Sequence, residues 1–389
     1  MSVTAPAGFE AAGVACGIKA SGDLDLALVA STAGAVPAAG VFTSNRAAAA
    51  PVTVSRAHLA ASAGRAAGVV LSSGNANAAT GAPGAAAAER MCALAADGLG
   101  VAATEVLVCQ TGLIGIPLPM APVEAGIPAL VAARAPGAEA GRLAATAIMT
   151  TDTVCKEAVV AGTGFTVGAM AKGAAMLAPD MATMLAVLTT DARCEPPALE
   201  AALRRAVDAT FNRLSVDGCT STNDTVLVLA SGASGTAPSP GDLAASLEAA
   251  CGELAAMMAA DAEGATTVAR VVVQGAASDD DAHRAARKVA ESPLVKCSLN
   301  GSDPYWGRVV SELGSAGVAF DLERVSVSYG GVTVCRHGVA ADHDAGALAA
   351  HMRSGRVELR CDLGLGGGTG AVLTTDLGHG YIDENRTTS

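Results

Sequence analysis

Thr183 is a hydroxyl in a mostly apolar run that starts at a lysine, Lys172-Gly-Ala-Ala-Met-Leu-Ala-Pro-Asp-Met-Ala-Thr-Met-Leu185. Taken alone it reads as a buried threonine bonded to a backbone carbonyl. The other reading is a hydroxyl that serves a site. Three further polar clusters raise that second reading. Gln110-Thr111-Gly112 ends the apolar run 106–109. Met149-Thr150-Thr151-Asp152-Thr153 ends a helix-like segment at 138–148. Ser215-Val-Asp-Gly-Cys-Thr-Ser-Thr-Asn-Asp224 is polar almost throughout. Polar clusters at the ends of apolar elements are where sites are built.

Other groupings carry less chemistry. Gly364-Leu-Gly-Gly-Gly-Thr-Gly370 lacks a following Lys-Ser/Thr and leaves no room for a βαβ unit, so it reads as a turn between strands. His337, His343 and His351 with Asp342 and Asp344 match no zinc spacing and read as a solvated loop before a helix at 345–352. No metal and no resident cofactor is expected. A Gly-x-Ser-x-Gly elbow is missing from the sequence.

The elements that must position these groups alternate along the chain. Segments 18–29, 40–43, 52–54, 68–73, 106–109, 164–170, 226–229 and 268–273 read as strands, by period-2 alternation or short apolar runs. Segments 85–98, 138–148, 197–209, 240–262 and 278–291 read as helices, the last with Ser278 as N-cap and three aspartates in its first turn. Ser292-Pro293 reads as a loop, and 232–241 as a surface loop. The whole is a mixed α/β fold, with parallel and antiparallel pairing both open. Of 389 residues, 51% are apolar and only 2% aromatic, and the net charge is −12. That apolar content excludes a disordered chain. The acidic balance and scarce aromatics argue against nucleic acid as a partner. No run of 18 apolar residues occurs, so no membrane span is expected. Ten scattered cysteines with no Cys-x-x-Cys pair, and no export signal at 1–20, point to reduced thiols and a cytoplasmic location.

At these clusters the chain resembles the ornithine acetyltransferases, the self-cleaving arginine-biosynthesis acetyltransferases. The resemblance runs in order through Gly17-Ile-Lys19, Gly40-Val-Phe-Thr-Ser-Asn-Arg46, Ser73-Gly-Asn-Ala-Asn77, Thr111-Gly112, Thr150-Thr-Asp-Thr153 and the segment 172–185. It continues through Val216-Asp-Gly218, Thr220-Ser-Thr-Asn-Asp224, Asp261-Ala-Glu-Gly264, Ser292-Pro-Leu-Val-Lys296 and Asp303-Pro-Tyr-Trp-Gly-Arg308. Departures from the family pattern are Cys219 in place of an acidic residue, Leu373-Thr-Thr-Asp-Leu-Gly378, and the short tail Asn385-Arg-Thr-Thr-Ser389.

The resemblance implies a helix–sheet–sheet–helix sandwich of the N-terminal-nucleophile kind with a smaller C-terminal α/β domain. It implies self-cleavage between Ala182 and Thr183, giving chains 1–182 and 183–389. Thr183 would then carry a free α-amine, whose ordinary pKa near ~8 suits a general base. Its hydroxyl would take the acetyl group from N2-acetylornithine and pass it to glutamate. Thr111 and Gly112 match the oxyanion-stabilising positions. Thr150, Thr151, Lys172, Thr183, Glu263, Asn385 and Ser389 match the substrate-binding positions, Lys172 suiting an α-carboxylate and Glu263 an ammonium. Acetyl-CoA stands as an alternative donor, and two cleaved pairs would assemble as a heterotetramer. Two other readings share the nucleophile: a relative acting on another acyl amino acid, and an amidohydrolase or aminopeptidase releasing acyl groups to water.

Overall fold

A computed structural model describes residues 2–176 and 184–386. Ala182, Thr183 and Ser389 lie outside the described residues. The chain forms two compact units, one of residues 1–212 and 219–258, the other of residues 213–218 and 259–388.

In the first unit a four-stranded sheet runs Phe9–Val14, Leu26–Ser31, Gly68–Asn75, Val106–Leu113, its last pair parallel. A six-stranded sheet runs Arg65–Ala66, Val36–Phe42, Thr225–Ala230, Leu185–Thr190, Thr166–Lys172, Lys156–Ala161. Side chains alternate across a strand, and here both faces are apolar. Val29, Leu71 and Leu107 point inward to a core shared with Met170, Val187 and Leu227 of the other sheet. Their neighbours Leu28, Val70 and Val108 point outward against Met91 and Ile127 of the helices Gly81–Leu99 and Met120–Ala132. The helix Pro196–Ala209 packs on Val36–Phe42 through Leu199, Leu203 and Val207. The expected helix–sheet–sheet–helix layering is therefore present.

Segment 52–54 is not a strand, as the β-branched valines suggested, but lies in the helix Ala50–Ala61. Pro51 fits its first turn. Its inner face caps the open edge of Val106–Leu113, where the Ser55 hydroxyl donates to Val108 O (2.7 Å) and accepts from Val108 N (2.8 Å). Tertiary pairing outweighs strand propensity there.

The second unit holds a seven-stranded sheet whose second to fourth strands are Gly368–Thr375, Val268–Ala276, Arg356–Asp362. The helix Asp279–Glu291 lies across it, with Ser278 Oγ accepting from Asp281 N at 3.2 Å as its cap. Ser292-Pro293 is not a loop. Ser292 caps a new helix, Pro293–Asn300, at once, with Pro293 in the first turn. The histidine loop behaves as a polar approach to the helix Ala345–Met352, which Asp344 caps by accepting from Gly346 N and Ala347 N. Pro240–Ala260 is one helix long and apolar enough to cross a membrane, and half of its most apolar window is buried in the protein.

Candidate active site

The site of the first unit forms where the two parallel strands Gly68–Asn75 and Val106–Leu113 end together. Ser73 pairs with Thr111 and Gly74 with Gly112, and the register then slips. Gly112 has φ +130°, and a Cβ there would overlap the Gly74 carbonyl carbon and the Asn75 nitrogen. Only glycine permits that approach, which frees the strand end from regular pairing. A buried amide network fixes it. Asn223 Nδ2 donates to Ala76 O (2.6 Å) and Gln110 O (2.9 Å), and Asn77 Nδ2 donates to Gln110 Oε1 (2.8 Å). Fully paired buried networks of this kind specify one geometry.

Thr111 is buried at this end, and Lys172 Nζ, also buried, donates to its hydroxyl at 3.3 Å. Lys172 ends the strand Thr166–Lys172, which brings it there from the other sheet. The next residue is tied down by Asp152: Gly173 N donates to Asp152 Oδ1 at 2.7 Å. The same oxygen accepts from Lys156 Nζ at 2.6 Å, and Oδ2 accepts from Thr150 N at 3.1 Å. Burial works against the Asp152 charge, yet Lys172, Lys156 and the Gly173 amide outweigh it and hold the carboxyl at about 2. Thr150 is partly buried beside this carboxylate, whereas Thr151 is exposed. So Thr111 and Lys172 touch, and Thr150 joins them through Asp152.

Glu263 and Asn385 meet in the second unit, Asn385 Nδ2 donating to Glu263 Oε2 at 2.8 Å. Gly264, with φ +62°, lets the backbone press against Gly380 and Tyr381 of the helix His379–Glu384, where a Cβ would collide with the Tyr381 nitrogen. The loop after Glu263 is anchored on Asp376, which accepts from Thr266 N and Thr267 N, both at 2.9 Å. Below it lies Lys296, buried, donating to Thr374 Oγ1 (2.6 Å) and Thr375 O (2.7 Å). Burial lowers this ammonium to about 8 against the pull of Asp217, Asp376 and Glu291.

Sequence reasoning gave no role to four buried groups near the first site. Asp152 and Lys156 form its ion pair, with neither side chain exposed. Asp25 accepts from four successive amides. Asp224 Oδ1 accepts from Met184 N at 2.8 Å, while its Oδ2 is buried with no hydrogen-bond partner among the described residues. Burial pushes the Asp224 carboxyl well up, opposed by the Met184 amide and Lys172. The available signal was an acid within two residues of a five-residue apolar run, as in Asp25-Leu26 and Asp224-Thr225-Val226. A charge at such a position must find several donors.

Two sheets layered between helices, with a threonine hydroxyl, a glycine at positive φ and a buried lysine at the strand ends, define a mixed α/β sandwich with a polar site at its strand ends. The family model described as ArgJ family matches residues 10–387, and the chain belongs to that family. It is 52% identical to the arginine biosynthesis bifunctional protein ArgJ of Mycolicibacterium paratuberculosis, over 98% of this chain and 95% of that one. It is 51% identical to the protein of the same name from Mycobacterium tuberculosis, with the same shares covered. Among solved structures, a crystal structure of ornithine acetyltransferase complexed with ornithine, from Mycobacterium tuberculosis, is 46% identical. It matches over 46% of this chain and 94% of that chain, with a TM-score of 0.42.

Proposed function

We propose that the protein is a glutamate N-acetyltransferase (ornithine acetyltransferase) of arginine biosynthesis, matured by its own cleavage between Ala182 and Thr183. The observation that carries this is 52% identity to an arginine biosynthesis bifunctional protein across 98% of the chain. The geometry at Thr111, Gly112 and Lys172 supports it. In the maturation step Thr183 Oγ1 attacks the Ala182 carbonyl, the peptide C–N bond breaks, and the hydroxyl proton ends on the Thr183 nitrogen. Water then splits the ester, returning the hydroxyl and leaving a carboxylate on Ala182. Strand Leu185–Thr190 is bonded on one side to Thr166–Lys172 and on the other to Thr225–Ala230, so both cleaved chains stay joined through one sheet.

The α-amine of Thr183 is then the base and its hydroxyl the nucleophile. N2-acetylornithine gives up its acetyl group through a tetrahedral oxyanion. Lys172 donates to the oxygen of Thr111, so that hydroxyl's own hydrogen is directed away from the lysine and can donate to the oxyanion. With the Gly112 N–H it supplies a pair of donors, each typically worth a few kcal/mol of barrier. Ornithine leaves with a proton, and the amine of glutamate attacks the acetyl-Thr183 ester. Both donor and product are amides, so the exchange needs no ATP. Thr150, Lys172, Glu263, Asn385 and Ser389 are the proposed substrate contacts, with Thr151 exposed beside Thr150. Acetyl-CoA as a second donor and a heterotetramer of two cleaved pairs belong to the same reading.

Steady-state kinetics test it. One covalent ester serving two half-reactions gives parallel lines in double-reciprocal plots, with glutamate competing against acetylornithine. Intersecting lines would favour direct transfer in a ternary complex and overturn the ester route.

A further inference from the structure

Lys19 has no part in the mechanism above, yet it is built into the same strand ends. The loop that carries it is fixed by Asp25, a buried residue at the head of Leu26–Ser31. Cys16 N donates to its Oδ1 at 2.7 Å, and Gly17, Ile18 and Lys19 N donate to its Oδ2 at 3.0, 2.6 and 3.0 Å. Burial opposes the Asp25 charge, but these amides keep its carboxyl below the ordinary value. The loop is thus held rigidly by a committed carboxylate.

From there the Lys19 side chain runs over the strand end. A Cβ on Gly74, the register partner of Gly112, would lie 3.1 Å from Lys19 Cγ. Its ammonium donates to Leu24 O and to Met149 O, both at 2.8 Å. Met149 O belongs to the peptide bond that leads into Thr150. An ammonium has three N–H donors, and these two carbonyls take two of them. The side chain is only partly buried, so a ligand can reach the third.

The charges around it point to an anion. Burial lowers the Lys19 ammonium, Asp25, Asp23 and Asp152 raise it, and Lys172 adds repulsion. Asp152 is already occupied by Lys156 and two amides, and Asp25 by four amides. Asp23 is an exposed side chain bonded by Ser21. Two lysine cations therefore bear on one strand end where Asp152 and Asp25 are taken up by amides and Lys156, while Asp224, on the Lys172 side, is pushed toward its neutral form by burial. A bound carboxylate relieves the repulsion between them.

We propose that Lys19 is a direct contact of the substrate α-carboxylate, shared with Lys172 and seated beside Thr150. This rests on the acetyl-transfer reading, and it adds the residue that makes the site demand an α-carboxylate from donor and acceptor alike. The test pairs the residue with the group it is said to bind. Lys19→Met and Lys19→Gln are compared with wild type on N2-acetylornithine and on its α-carboxamide. Glutamine keeps two N–H donors for the carbonyls, on a side chain one bond shorter, and removes the charge. Both variants are expected to lose about 10- to 100-fold in kcat/KM on the carboxylate, largely through KM. On the carboxamide they should fall within about twofold of wild type, since the partner charge is already gone. An equal penalty on both substrates, or full activity in Lys19→Gln, would mean that Lys19 only props the loop and would overturn the proposal. Should wild type itself fail to take an acetyl group from acetylornithine, the acetyl-transfer reading fails instead.

Discussion

Thr183→Ala is expected to leave the purified protein a single uncut chain. The substitution removes the one oxygen that attacks the Ala182 carbonyl in the proposed maturation, and replaces it with a methyl group. Without cleavage no α-amine appears at residue 183, so nucleophile and base are lost together. Acetyl transfer should fall by about 10⁴-fold or more, the scale on which removing a covalent nucleophile acts. Thr183→Ser keeps an attacking hydroxyl and should still split. A denaturing gel and intact mass read the result directly. Wild type should give two chains that co-elute under native conditions, because the strand after the proposed cut is held between two others. Splitting of the alanine variant after Ala182 would assign the cut to a separate protease.

Lys172→Met should lower kcat/KM by about 10²- to 10³-fold, from two losses that kinetics can separate. Methionine fills a similar volume in a position that is 4% exposed, so packing is nearly kept while the charge goes. Thr111 loses the donor that orients its hydroxyl, which lowers kcat. The substrate carboxylate loses a cation, which raises KM. The variant should also lose acid stability. Asp152 has its carboxyl held down at about 2 in the folded protein. A lowered folded value stabilises fully above the ordinary carboxylate pKa near ~3.9 and is lost as pH falls through the folded value. Removing Lys172 moves the folded value of Asp152 upward, so unfolding in acid should begin at higher pH. Near-normal kinetics and an unchanged acid transition would show that Lys172 bears on neither group.

The parts of the fold that the sequence made legible are those in which one local pattern dominates. Val69, Val70 and Leu71 read as a doubly buried strand, and Ser278 with three aspartates read as a helix start; both are so. The errors came where a distant partner decides. Val52 and Val54 favour a strand by shape, but Ser55 must satisfy the edge of Val106–Leu113, and a helix alone presents it there. Ser292 reads as a turn residue until it is seen capping a helix that follows the previous one without a gap. Thr111 and Gly112 were legible as a cluster at the end of an apolar run, and Lys172 only through the family resemblance; that Thr111 and Lys172 meet depends on two sheets packing. The burial and partners of Asp152, Asp224 and Asp25 stayed hidden. Their donors are amides and lysines whose approach only the folded backbone sets.

Intact-mass measurement of the purified enzyme after incubation with N2-acetylornithine alone, glutamate withheld, bears most directly on the covalent route. One acetyl group should appear on the 183–389 chain, be absent from the 1–182 chain, and vanish when glutamate is added. Cleaved, active enzyme that transfers acetyl groups yet never carries one on that chain would contradict catalysis through an acetyl-Thr183 ester.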